Sequence, residues 1–164
     1  MATTIAKRVR AFLEEQGAQP RPGLTPDDIQ AAEARLRVRL PEDVARFFEI
    51  VNGTSNTSGF LFEMWPLERM GSVPEVVAPH GGIPDYRQID RALPRASEYF
   101  AFADAMIWSH VFAVRIAEGA PTEVVSICGS SFTSVAPTFS AFWQRFLADP
   151  DATTLGITGQ SAAG

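Results

Sequence analysis

The stretch WSHVFAVRIAEGAPTEVVSIC, residues 108–128, restricts the fold more than any other part of this chain. Trp108, His110, Phe112, Val114 and Ile116 alternate with Ser109, Val111, Ala113 and Arg115, and a period of two is that of a strand. AEGAP then supplies the glycine of a short hairpin loop, and TEVVSIC the returning strand. Just upstream, EYFAFAD places Phe100 and Phe102 on one face of a further strand. Strands this close in sequence pair antiparallel, because a parallel pair needs a crossover of about a dozen residues or more.

The chain ahead of this meander has the period of helices. Ile5, Val9, Phe12 and Leu13 form one apolar stripe that Gly17 is placed to end, and GAQPRPG follows as a stiff connector. Thr25 is a natural N-cap, followed by Pro26 at a first helical position and by Asp27 and Asp28 at the positive end of the dipole. Ile29, Ala32 and Leu36 give that helix its buried face. In LPEDVARFFEIVNG, residues 40–53, Pro41 opens a third helix. Its inner side holds Leu40, Val44, Phe47, Phe48 and Val51, and Asn52-Gly53 is expected to stop it through a left-handed backbone.

GFLFEMWPLERM predicts a strand of about four to six residues, broken at Pro66. Residues 71–97 hold four prolines and no sustained period. A stretch of this kind is functional, unstructured or hides a short helix, here near Asp85–Ala92. GSSFTS, residues 129–134, reads as a turn. PTFSAFWQRFLADP predicts a closing helix capped by Thr138, with Phe139, Phe142, Trp143, Phe146 and Leu147 on one side.

Helices, then strands, then one helix imply an α+β fold, an antiparallel sheet with N-terminal helices and a C-terminal helix packed on it. With 164 residues and 46% apolar content the expectation is one domain over residues 1–150 and a flexible tail over 151–164. The single Cys128 cannot form an internal disulfide, and no apolar run is long enough for a signal peptide or a membrane span. A cytoplasmic protein is expected, so the N-x-S/T matches at Asn52 and Asn56 carry no weight. The net charge of −5 lies entirely beyond residue 53: residues 54–164 hold six basic and eleven acidic groups. That balance argues against nucleic acid and suits either plain solubility or a basic protein partner.

No constellation of catalytic residues stands out. Cys128 ends an apolar strand and His110 lies among Trp108 and Phe112, so both read as core, and His80 has no companion for a metal set. GSSFTS lacks the Gly-x-Ser-x-Gly elbow, and HGG at 80–82 follows no strand. The expectation is no catalytic, cofactor-binding or metal-ligating residue.

GLTPDDIQAAEARLRVRLPEDVARFFEIVNG resembles the opening of SMI1/KNR4 domains of the SUKH superfamily, with a central Glu33, then Leu-Pro, then a helix reaching Asn-Gly. FEMWPLERM, YFAFADAMIWSHVFAVRI and VAPTFSAFWQRFL resemble the family's later segments in the same order. Ala105, Met106 and Ile107 depart from the Gly/Asp-rich turn of many relatives, and residues 71–97 match poorly. The resemblance implies a protein-binding domain: bacterial members are commonly immunity proteins that neutralise toxins of polymorphic, contact-dependent systems, and fungal members are regulatory scaffolds. The corresponding expectation is a basic toxin domain as partner, no nucleic acid and no membrane. The binding surface would draw on Asp85, Asp90, Asp104, Glu118 and Glu123, with Tyr86 and Trp108 as anchors or as core residues. The alternatives are a small hydrolase built on the 71–97 segment or a regulatory scaffold like the fungal members.

Overall fold

A computed structural model describes residues 1–56, 59 and 61–154. The helices are α1 (Ala2–Glu15), α2 (Pro26–Leu36), α3 (Glu42–Phe48), α4 (Ile89–Ala92), α5 (Phe139–Ala148) and α6 (Pro150–Thr154). The strands are β1 (Pro20–Pro22), β2 (Val51–Thr54), β3 (Phe62–Met64), β4 (Gly71–Ser72), β5 (Tyr99–Ala105), β6 (His110–Arg115), β7 (Val124–Cys128) and β8 (Ser131–Ala136). The main sheet is antiparallel in the order β3-β5-β6-β7-β8, with β4 beside β3 on the same edge of β5, and β1 pairs with β2 apart from it. This is the α+β architecture expected from the sequence, and the 108–128 hairpin forms with Val114 opposite Val124.

Local chemistry fixes the helix starts. Thr25 Oγ1 accepts from the Asp28 backbone N–H at 3.2 Å while the Asp28 carboxylate accepts from the Thr25 N–H at 3.0 Å, a reciprocal box that also holds the Asp28 carboxyl below its usual range. Glu33 reaches past the end of α2 to accept from the Leu40 N–H at 2.9 Å, which orients the Leu-Pro entry into α3.

The Asn-Gly pair does something other than stop α3. The helix ends at Phe48, and Asn52 and Gly53 lie in β2. The Asn52 side-chain oxygen accepts from Leu67 N–H at 2.7 Å, and its amide donates to the Glu68 carboxylate at 3.1 Å. Gly53 has φ +75°, and a Cβ there would fall 2.5 Å from the Pro66 nitrogen. The pair therefore lets β2 press directly on the backbone after β3. The preceding connector is likewise a strand: Pro20 and Pro22 sit in β1, where a missing N–H is tolerated on a short edge.

One face of the sheet carries α1, α3 and α5. Phe47 stacks on Trp143 with centroids 4.7 Å apart and planes 14° off parallel, between Phe139, Phe102 and Phe62. Residues 71–98 cover the other face. A wide helical turn at Val73–Val77, α4 and a tight turn at Ala96–Glu98 seat Val73, Val77, Tyr86, Ile89 and Leu93 on Ala101, Val111, Ala113, Val125 and Ile127. The aperiodic stretch is thus a second layer on the sheet, and the helix expected at Asp85–Ala92 is the single turn Ile89–Ala92.

GSSFTS is a turn only at Gly129-Ser130; Ser131 onward forms β8. Residues 151–154 of the expected tail belong to α6, which packs against α5, with Thr153 and Thr154 buried. The remainder of that tail, 155–164, lies outside the described residues.

Candidate partner-binding tip

The turns β5–β6 and β7–β8 emerge at one end of the sheet, beside Leu61 at the entry to β3. Met106, Ile107 and Trp108 in the first turn all have positive φ, 54°, 53° and 64°. Three non-glycine residues in succession in the left-handed region require outside support. Asp104 provides part of it. Its carboxylate accepts from the Trp65 indole Nε1–H at 2.7 Å and from the Trp108 N–H at 3.3 Å. Tyr86 adds to it, its hydroxyl donating to the Trp108 carbonyl at 2.5 Å.

An aromatic stack backs the turn. The Arg69 guanidinium lies 4.1 Å over Trp65, Trp65 lies 5.4 Å from Trp108, and His80 lies 4.7 Å from Trp108 on its outer side. Tyr86 meets Trp108 edge-on. The β7–β8 turn rests on the same support, since a Cβ on Gly129 would stand 3.3 Å from the Asp85 carbonyl oxygen. With its base held, the tip exposes Ile107 (76%), Met106 (43%) and Leu61 (40%), and the 80–84 loop exposes Ile83.

Two of the expected surface residues are interior. Asp104 is only 2% exposed, and burial raises its carboxyl above the usual range against the two hydrogen bonds that lower it. Tyr86 is fully buried, and burial foremost, with Cys128 and Asp104 nearby, pushes its phenol far up. Their role is to hold the tip from inside. Trp108 is half-buried in the turn and packs with the 71–98 layer; its left-handed backbone takes it off the Phe112 face on which strict alternation puts it.

The remaining carboxylates take no part in these hydrogen bonds. Asp85 is exposed, and its bonds from Arg87 hold it down to about 2. Asp90 is exposed on α4. Glu118 and Glu123 lie at the opposite end of β6, roughly 20 Å away at about 3.3 Å per strand residue. There Glu123 accepts from the Tyr99 hydroxyl at 2.9 Å, and burial with this bond pushes Tyr99 up to about 12. That end borders an open cleft of about 710 Å³ between Arg37–Glu42 and Ile116–Ala120.

The expected core positions also change. Cys128 is exposed at the last position of β7, where the cover over the strand ends. His110 is half-buried and burial lowers its pKa. Among the described residues no three His, Cys, Asp or Glu side chains gather as a metal set, and no helix is long and apolar enough to cross a membrane. The apolar Ala105-Met106-Ile107 segment stands out in the sequence where polar turn residues are usual, but only the fold shows that Ala105 ends β5 while Met106 and Ile107 are exposed.

Comparison with known proteins finds no match among curated sequences. The SMI1 / KNR4 family (SUKH-1) matches residues 23–145, from the loop before α2 into α5, and so takes in every strand of the main sheet. The chain therefore belongs to the SMI1/KNR4 family of the SUKH-1 group.

Proposed function

We propose that this chain is a cytoplasmic, non-enzymatic bacterial immunity protein whose tip covers a cognate toxin domain. Family membership is compatible with that role. The observation that carries the reading is the Met106–Trp108 turn: backbone strain is kept by Asp104 and Tyr86 while Met106 and Ile107 point outward. Strain maintained by buried partners at an exposed apolar turn suits a binding element better than a folding one. Affinity then comes from a few apolar anchors, and the acidic second half of the chain speeds the encounter with a basic partner.

The test is surface-plasmon kinetics against the cognate toxin domain, to be sought among the genes that adjoin this one. Ile107→Arg should raise the dissociation rate at least about tenfold, equivalent to about 1.4 kcal/mol, at an unchanged melting temperature. Binding that survives Ile107→Arg and Met106→Arg together removes the tip from the interface.

A further inference from the structure

The two long edges of the main sheet are built differently. On one side β3 and β4 are three and two residues long, short enough to offer little to a second chain. On the other, β8 is the last strand, and among the described residues nothing pairs with its outer edge. Ser131, Phe132, Thr133 and Ser134 are all exposed, and Ser131–Ala136 contains no charge, proline or glycine. Those are the features that usually keep an edge unpaired.

The free backbone groups can be identified. Gly129-Ser130 is a two-residue turn, so Cys128 and Ser131 form the hydrogen-bonded closing pair of the hairpin. Pairs then alternate: Thr133 bonds inward to Ser126, while Phe132 opposite Ile127 and Ser134 opposite Val125 turn their N–H and C=O groups outward. Beyond Ser134 the strand bulges, and the Val135 carbonyl accepts from the Arg145 guanidinium. The open edge is therefore two outward residues, bounded by the turn and by Arg145, and centred on Thr133.

We propose that this edge pairs with β8 of a second copy of the chain, antiparallel about a two-fold axis at Thr133. In that register Phe132 of each copy exchanges two backbone hydrogen bonds with Ser134 of the other, giving four in all, and Thr133 faces its own counterpart. Among the described residues no other strand offers a matching exposed edge: β1 carries two prolines, β2 is buried throughout, and β3 and β4 are too short. Pairing like with like also closes the assembly at two copies. No charges oppose across the join, and Phe132, 41% exposed, gains cover from the second copy. The contact is small, so the dimer is reversible and depends on concentration. It uses the edge of the sheet and goes beyond the partner-binding reading of the tip.

Sedimentation velocity of the full chain from micromolar to submillimolar concentration tests this. The weight-average mass should climb from one chain toward two. Thr133→Lys sets like charges face to face at the axis and should hold the protein at one chain mass, with the melting temperature unchanged. Thr133→Glu should do the same alone, and an equimolar mixture of the two should recover the dimer. Phe132→Pro, which deletes an outward N–H and leaves the β7 pairing intact, should also be monomeric. A wild-type chain that stays at one mass throughout, or a dimer indifferent to Thr133→Lys, overturns the proposal and leaves the edge to a strand of another protein.

Discussion

The Tyr86 hydroxyl and the Trp108 carbonyl, 22 residues apart in the chain, meet at 2.5 Å across the two layers of the fold. Through this bond the 71–98 layer holds the β5–β6 turn. Tyr86→Phe keeps the ring and removes the donor, leaving a partly buried carbonyl without it. We expect a loss of about 1–2 kcal/mol in denaturant melts, since an unmet buried polar group costs that order. The same variant should weaken toxin binding through faster dissociation.

Asp104 gives the tip a pH signature. Burial raises its folded-state pKa, so the folded protein holds this proton more tightly than the unfolded chain does. Its ionisation therefore opposes folding as pH rises through the raised value, and the stability it contributes is complete below the ordinary aspartate range, about 3.9. Urea melts of wild type and Asp104→Asn between about pH 7 and about pH 4 should show the wild type gaining on the variant as pH falls. A gap that is constant across this range would mean that Asp104 titrates as it does in the unfolded chain.

Phe47→Ala should cost about 3–5 kcal/mol, because the ring is 1% exposed and stacked on Trp143, and its removal leaves a cavity among large aromatic neighbours. A shift in denaturant midpoint worth less than about 1 kcal/mol would show that the neighbours close over the gap.

Gly53→Ala brings together a positive φ and a Cβ 2.5 Å from the Pro66 nitrogen. Backbone strain alone is worth about 1–3 kcal/mol, and the clash adds to it. Thermal unfolding is the measurement, with Gly119→Ala as the comparison: Gly119 also has positive φ, at 72°, but open space around it, so it should lose less.

Cys128 should react quickly with a thiol reagent in the native protein, since it is exposed and is the one cysteine of the chain. Cys128→Ser should change stability by no more than about 0.5 kcal/mol, as for other surface substitutions. Labelling only after addition of denaturant would place the thiol inside.

The sequence by itself determined the elements that rest on local rules. Thr25 with Asp28, the alternation of residues 110–116, the glycine of AEGAP and the aromatic stripe of α5 each specify their own structure through contacts a few residues away. Family membership was legible for the same reason, since its markers are short segments in order. What only the tertiary structure decided are features whose partners are distant in the chain. Asn52-Gly53 reads as a helix stop, until the approach of Leu67 and Pro66 makes it a strand contact. Residues 71–97 show no period because their apolar groups fit a sheet face one at a time, without repeating along a single element. Asp85, Tyr86, Asp104 and Trp108 read alike as surface or anchor, and only folding sends Tyr86 and Asp104 inward, because buried carbonyl, amide and indole groups at the tip need hydrogen-bond partners that the local chain does not supply.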